Sequence, residues 1–154
     1  PKVHQSFRLR FTLEDHSEAL SIVSWSPDDS MLLTAGLGHC IRLWNTRDGS
    51  CIKSFMHHSL PVVAAIAWMP DSKRFISGGQ DRHIYMMGID GQQIRTWPCP
   101  RVSDLIVSAD GKDMVVSCEE CVLKIYNLES SSTEPESSYV ASRQRAGEER
   151  DQYR

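Results

Sequence analysis

Apolar runs recur along this chain, and turn residues close each of them. Residues 62–69 are apolar throughout and end at Pro70-Asp71. Residues 74–78 end in Gly78-Gly79-Gln80-Asp81, and residues 83–87 lead to Asp90-Gly91. Asp-Gly accepts the positive φ of a tight hairpin turn. Short runs so spaced and punctuated predict antiparallel strands in a meander. No segment has the length and 3.6-residue period of a helix.

The phrase repeats. Pro27-Asp28, Pro70-Asp71 and Ala109-Asp110 close equivalent runs, 43 and then 39 residues apart. Two residues before each turn stand Trp25, Trp68 and Val107, and 19 residues after each of these comes a large side chain, Trp44, Met87 or Tyr126. A period near 40 with four short strands per unit is that of a propeller blade. Ile41-Arg42-Leu43-Trp44-Asn45 resembles the WD-repeat strand that ends in Trp-Asp, and Val23-Ser24-Trp25-Ser26-Pro27-Asp28 resembles that family's first strand and turn. Leu13-Glu14-Asp15-His16 and Phe55-Met56-His57-His58 are similar to its Gly-His loop. The resemblance covers residues 6 to 128.

The expected fold is therefore all-β, a partial WD-repeat β-propeller of about three antiparallel four-stranded blades. Residues 7–13 alternate large and charged side chains and read as a lone outer strand. Strands at 20–26, 31–35, 40–45 and 51–56 make a first blade (residues 14–56). Those at 62–69, 74–78, 83–87 and 93–97 make a second (57–97), and those at 102–108, 113–118 and 122–128 begin a third (98–128). The propeller domain thus spans 1–128. Residues 129–154 are rich in Ser, Glu and Arg with few apolar residues, and are expected to be a disordered tail, with at most a transient helix over 144–154. Propellers usually have 4–8 blades, so the chain is expected to be a fragment or truncated product of a longer protein.

Composition narrows the chemistry. The formal net charge of −3 leaves no basic footprint for nucleic acid, and no apolar run is long enough to span a membrane as a helix. Five scattered cysteines (Cys40, Cys51, Cys99, Cys118, Cys121) suit reduced, buried thiols in the cytoplasm or nucleus. Cys118-Glu-Glu-Cys121 is half of a zinc site at most, since four ligands are needed, although His39 and His83 occupy equivalent turns nearby. Its simpler reading is a hairpin with inward thiols. No G-x-S-x-G and no G-x-x-x-x-G-K occurs. No cofactor or catalytic residue is expected.

The resemblance implies a buried His–Ser/Thr–Asp–Trp network in each blade. Transferred residue by residue, the first blade offers His16, Thr34 and Trp44, with Gly38 at the acidic position. The second offers His57 or His58, Ser77 and Asp81, with Met87 at the Trp position. The third has Glu120 and Tyr126 and no His. The family's partner-binding rim falls on His39, Arg82, His83, Arg101, Glu119 and Glu120. Trp97, before Pro98-Cys99-Pro100, reads as blade packing, and Ser130–Thr133 as a candidate phosphorylation cluster.

The phrases W-S-P-D-D-S-M-L-L-T-A-G, W-M-P-D-S-K-R-F-I-S-G-G-Q-D and D-G-Q-Q-I-R-T-W resemble the WD-repeat-containing protein 26 subfamily, which implies a non-catalytic scaffold or adaptor of a GID/CTLH-type ubiquitin ligase. Its partners would be RING and CTLH subunits or substrates. A WD-repeat scaffold of a signalling, trafficking or chromatin complex is the alternative, and a propeller-borne hydrolase or metal enzyme a more distant one. An open arc exposes apolar blade faces at both ends. Residues 1–128 expressed alone are therefore expected to be poorly soluble or molten. A sharp cooperative melt from a dilute monomer would contradict this.

Overall fold

The computed structural model describes residues 8–140. Among them there are twelve strands and no helix, arranged as three antiparallel four-stranded sheets. The first orders β1 (Leu20–Trp25), β2 (Met31–Gly36), β3 (Ile41–Asn45) and β4 (Cys51–Phe55). The second orders β5 (Val63–Trp68), β6 (Arg74–Gly79), β7 (His83–Gly88) and β8 (Gln93–Pro98). The third orders β9 (Val102–Val107), β10 (Asp113–Cys118), β11 (Val122–Asn127) and β12 (Ser137–Val140). The sheets stack in sequence as an unclosed arc.

The turns explain the repeated acidic residue. Ser26 Oγ and Ser30 Oγ each donate to Asp28 Oδ1 at 2.7 Å, as does the Ser30 N–H at 3.0 Å. These bonds hold the Asp28 carboxyl down at about 2. Asp110 repeats the arrangement, accepting from Ser108 Oγ at 2.6 Å and from the Lys112 N–H at 3.0 Å. Asp29, Ser72 and Gly111 occupy the left-handed position of the same turn, at φ 63°, 56° and 74°. An aspartate accepting from its own loop locks such a turn, so the motif found in the sequence has a direct mechanical reason.

Alternation along the middle sheet sends side chains to both of its neighbours. Val63, Trp68, Phe75, Tyr85 and Met87 pack with Leu33, Ala35, Ile41, Leu43 and Phe55 of the first sheet. Ala65, Ile76, Ile84, Met86 and Trp97 pack with Val102, Leu105, Met114, Val116 and Tyr126 of the third. Phe75 and Ile76, adjacent on β6, are both fully buried, one in each cluster. Burying a side chain of this size contributes about 1.5–3 kcal/mol. Trp97 is wholly buried, with the Arg95 guanidinium 4.7 Å from its ring centroid.

Two segments depart from the sequence reading. Residues 8–13 pair with no strand, although their alternation predicted one, and Phe7 lies outside the described residues. Alternation supplies faces but not a ladder, and Arg10 and Phe11 instead lie against Arg47 and Gly49. The second departure is β12. Ser137–Val140, assigned to the disordered tail, pairs antiparallel with β11 from Val122↔Val140 to Ile125↔Ser137 and completes the third sheet. The remainder of that tail, 141–154, including the candidate helix, lies outside the described residues.

The inner strands approach the adjacent turns too closely for a side chain. A Cβ on Gly79 would stand 2.5 Å from the Val62 carbonyl oxygen, and one on Gly36 2.1 Å from that of Ala19. Val62 is itself held at φ 75°, its N–H donating to Leu37 O at 3.2 Å and its carbonyl accepting from the Gln80 N–H at 3.3 Å. A branched residue adopts that backbone only when its surroundings impose it. Gly79→Ala is expected to cost about 2 kcal/mol, read as a lowered Tm in thermal melts followed by circular dichroism.

Candidate protein-interaction rim

Beneath the loops that join the first two sheets runs a chain of polar atoms. His57 Nε2 and His58 Nε2 both lie on Ser77 Oγ, at 2.8 and 2.9 Å. His58 Nδ1 lies 3.0 Å from Asp81 Oδ2. The same oxygen accepts from the Ser59 N–H at 3.1 Å and from the Tyr85 hydroxyl at 3.2 Å. One proton assignment satisfies the geometry: His57 Nε2–H donates to Ser77, Ser77 O–H donates to His58 Nε2, and His58 Nδ1–H donates to Asp81. Asp81 Oδ1 and His57 Nδ1 accept from nothing among the described residues.

Burial sets the protonation states. It lowers the pKa of His58, while the Asp81 carboxylate pulls the other way. Burial takes His57 down to about 4, helped by its neighbour His58. Burial and the Asp81 charge raise the Tyr85 hydroxyl to about 12. Both imidazoles are therefore neutral near pH 7, as the proton assignment requires.

The order Ser77–His58–Asp81 is also that of a hydrolase triad. Here Ser77 is 0% exposed, His58 4% and Asp81 6%, and the Ser77 oxygen is occupied by His57 as well. A nucleophile must reach its substrate, and this one is sealed inside the sheet stack. The relay therefore reads as a structural network, fully donor-matched except at its two ends.

In the first sheet His16 Nε2 lies 2.7 Å from Thr34 Oγ1, which also accepts from Trp44 Nε1–H at 2.8 Å. With Gly38 in the acidic position, the chain stops there. In the third sheet no such relay exists among the described residues. Cys99 and Cys118 are buried there with their sulfurs 3.8 Å apart, beside Tyr126. Burial and Cys99 push the Cys118 thiol up to about 11. The expectation that all the thiols are buried needs correction: Cys51 and Cys121 are exposed. Cys121 takes the left-handed turn position, at φ 56°, outside β10 and β11, and is exposed where Cys118 is buried. No group of three or more metal-ligating side chains occurs among the described residues.

The rim candidates are exposed and fall into two groups. His39 and His83 flank the relay: His39 Nδ1 lies 3.3 Å from the His58 carbonyl oxygen, and His83 Nδ1 lies 2.9 Å from that of Asp81. Arg82, between Asp81 and His83, is at φ 63° in the same turn. Arg101 and Glu119 form a second group on the third sheet, with a 3.6 Å ion pair and a backbone bond from the Glu119 N–H to Arg101 O. Glu120 is exposed beside them. A cleft of about 330 Å³ opens next to His39, lined by His16, Glu18, Leu37, Arg42 and Met56. Tyr85 was missed in the sequence because it stands outside the four network positions, yet an aromatic hydroxyl four residues after an acid on a short hairpin was a usable signal.

The two depressed histidines set a pH dependence. The unfolded chain binds protons near 6.5, whereas folded His57 resists protonation until about 4. Stability is therefore intact above about pH 7 and is lost as the pH falls from 6.5 towards 4. The expected loss is on the order of 2 kcal/mol after discounting the partial exposure of His57. Thermal melts at a series of pH values should show it, and His57→Gln should flatten the profile.

Comparison with known proteins agrees with this architecture. The family described as WD domain, G-beta repeat matches residues 7–45 and 49–86. The chain is 39% identical over 127 residues to a WD repeat-containing protein WDS homolog of Arabidopsis thaliana, covering 79% of this chain and 24% of that protein. It is 32% identical over 124 residues to a WD repeat-containing protein 26 homolog of the same plant (79% and 21%), and 30% identical over 114 residues to one of Drosophila melanogaster (73% and 18%). The chain thus spans a quarter or less of the length of these relatives. Matched repeat, blade-type sheets and repeated turns together place this chain in the WD-repeat family.

Proposed function

We propose that this chain is a non-catalytic adaptor whose rim receives another protein, and that the assembly it serves is a GID/CTLH-type ubiquitin ligase. The observation that carries the reading is the rim itself. His39, Arg82 and His83 are exposed, yet the His39 and His83 rings are hydrogen-bonded to the carbonyls of His58 and Asp81, two members of the buried relay, and Arg82 lies between Asp81 and His83. A surface held in this way binds with little loss of conformational freedom. Its mixed charges, with Arg101, Glu119 and Glu120 on the third sheet, favour electrostatic matching to a protein over attraction to nucleic acid. Likeness to WD repeat-containing protein 26 homologs supports the ligase over other assemblies. The second reading is a WD-repeat scaffold of a different complex. A cytoplasmic or nuclear location suits either role and the absence of a disulfide among the five cysteines.

The test is affinity purification of the tagged chain from its own cells, with bound proteins identified by mass spectrometry. RING and CTLH subunits in near-stoichiometric amounts are expected, and Arg82→Glu with His83→Ala should reduce their recovery at least about tenfold. Recovery of a different complex in their place would leave the adaptor role and overturn the ligase assignment.

A further inference from the structure

The loop between β11 and β12 carries four hydroxyl side chains in a row, Ser130 to Thr133, followed by Glu134, Pro135 and Glu136. The structure sorts these hydroxyls into two kinds. Ser130 Oγ accepts from the Ser132 N–H at 3.1 Å, and Ser132 Oγ accepts from the Glu134 N–H at 3.2 Å. Those two side chains are turned back onto the loop's own backbone. Ser131 and Thr133 alternate with them, are exposed, and take no part in these bonds.

Charge along the loop picks out the same pair. Glu134 lies three residues after Ser131, and Glu136 lies three residues after Thr133. At that distance Ser130 has Thr133 and Ser132 has Pro135. The nearest basic residues in the sequence are Lys124 and Arg143, and Pro135 follows a glutamate rather than a hydroxyl residue. An enzyme that selects acceptors by a nearby preceding arginine, or by a proline directly after, finds no match. One whose basic pocket receives a carboxylate three residues on finds two.

A receptor for added negative charge is already in place. Arg95, on β8 of the second sheet, reaches across the junction and donates to the carbonyls of Leu128 and Ser132. Ser132 is the residue between the two outward hydroxyls. Carbonyl oxygens are weaker acceptors for a guanidinium than phosphate oxygens are. The loop itself is acidic, with Glu129, Glu134 and Glu136, and Lys112 meets only the first of these, at 4.0 Å.

We propose that Ser131 and Thr133 are acceptor sites for an acidophilic Ser/Thr protein kinase, and that Arg95 holds the phosphate formed there. In the transfer, the Ser131 or Thr133 Oγ attacks the γ-phosphorus of ATP and the bond from that phosphorus to the β,γ-bridging oxygen breaks. ADP leaves, and the hydroxyl proton passes to the kinase's base. The phosphate brings a charge of about −1.5 to −2 to an acidic loop. Pairing with Arg95 turns that repulsion into a charge-assisted bond between the second and third sheets. β11 runs from Val122 beside the rim to Asn127 beside the loop, about 20 Å of strand. The modification therefore adds charge at the end of the sheets opposite the rim.

The test incubates the 154-residue chain with Mg-ATP and either an acidophilic or a basophilic kinase, and maps phosphate by mass spectrometry. The acidophilic enzyme is expected to modify Thr133 and Ser131. Glu134→Gln combined with Glu136→Gln should slow it at least about tenfold. Phosphate on Ser130 or Ser132 instead, incorporation by the basophilic enzyme alone, or none at all would overturn the acceptor assignment. Phosphorus NMR over a pH series reads the role of Arg95. In the unaltered chain the second pKa of the phosphate should lie below its ordinary value of about 6. Arg95→Gln should return it to that value, and Arg95→Lys, which keeps the charge, should leave it low, with β content checked by circular dichroism. A phosphate that titrates at the ordinary value in the unaltered chain, or one that Arg95→Gln leaves low, would overturn capture by Arg95. The first of these comparisons needs no variant to fold.

Discussion

Every sheet in this chain has two apolar faces, and both need cover. That constraint arises in strands such as β6, where successive side chains are buried on opposite sides, Phe75 towards one neighbour and Ile76 towards the other. A two-layer sandwich needs only one buried face per sheet. A stack of sheets with both faces apolar must either continue or close. The close approach of Gly78 on β6 to Val102 on β9 brings the second and third sheets within contact distance, while Gly36 and Gly79 let β2 and β6 close onto the segments that lead into their own sheets.

A polar relay inside such a stack needs its own explanation. Ser77, His58 and Asp81 would each be costly to bury alone. Together they satisfy one another, and Tyr85 supplies a donor to the carboxylate where the Trp position holds Met87. The arrangement is lopsided, with three donors converging on Oδ2 and none on Oδ1. The relay fixes the loop at His57-His58 against the hairpin at Asp81, which carries the rim candidates Arg82 and His83.

Much of this was legible in the residues. Turn spacing located the strands to within a residue or two because an Asp that locks a turn must sit at its start, whatever the surrounding sequence. The network positions His16, Thr34, Trp44, His58, Ser77 and Asp81 could be named from the family resemblance, although not the sharing of Ser77 by both histidines, which depends on the loop path. β12 was not legible. Ser-Ser-Tyr-Val has little apolar drive, and its strand exists because the open edge of β11 supplies a ladder. Conversely, residues 8–13 have the alternation of a strand and no ladder to join. Strand identity at an edge is a property of the pair, which one sequence segment does not contain.

Sandwiching also sets the order in which the chain can come apart. Among the described residues, the first sheet is open to water at Val23 and Trp25 and the third at Ile106 and Leu123, whereas β6 and β7 are enclosed throughout most of their length. Local opening should therefore spread inward from the two ends, leaving the amide protons of the middle sheet as the slowest to exchange. Arg82 and His83 belong to the hairpin between those two strands. The surface that a partner would read first is thus attached to the part of the molecule that loosens last, and it would keep its shape through excursions that blur Arg101, Glu119 and Glu120 on the third sheet.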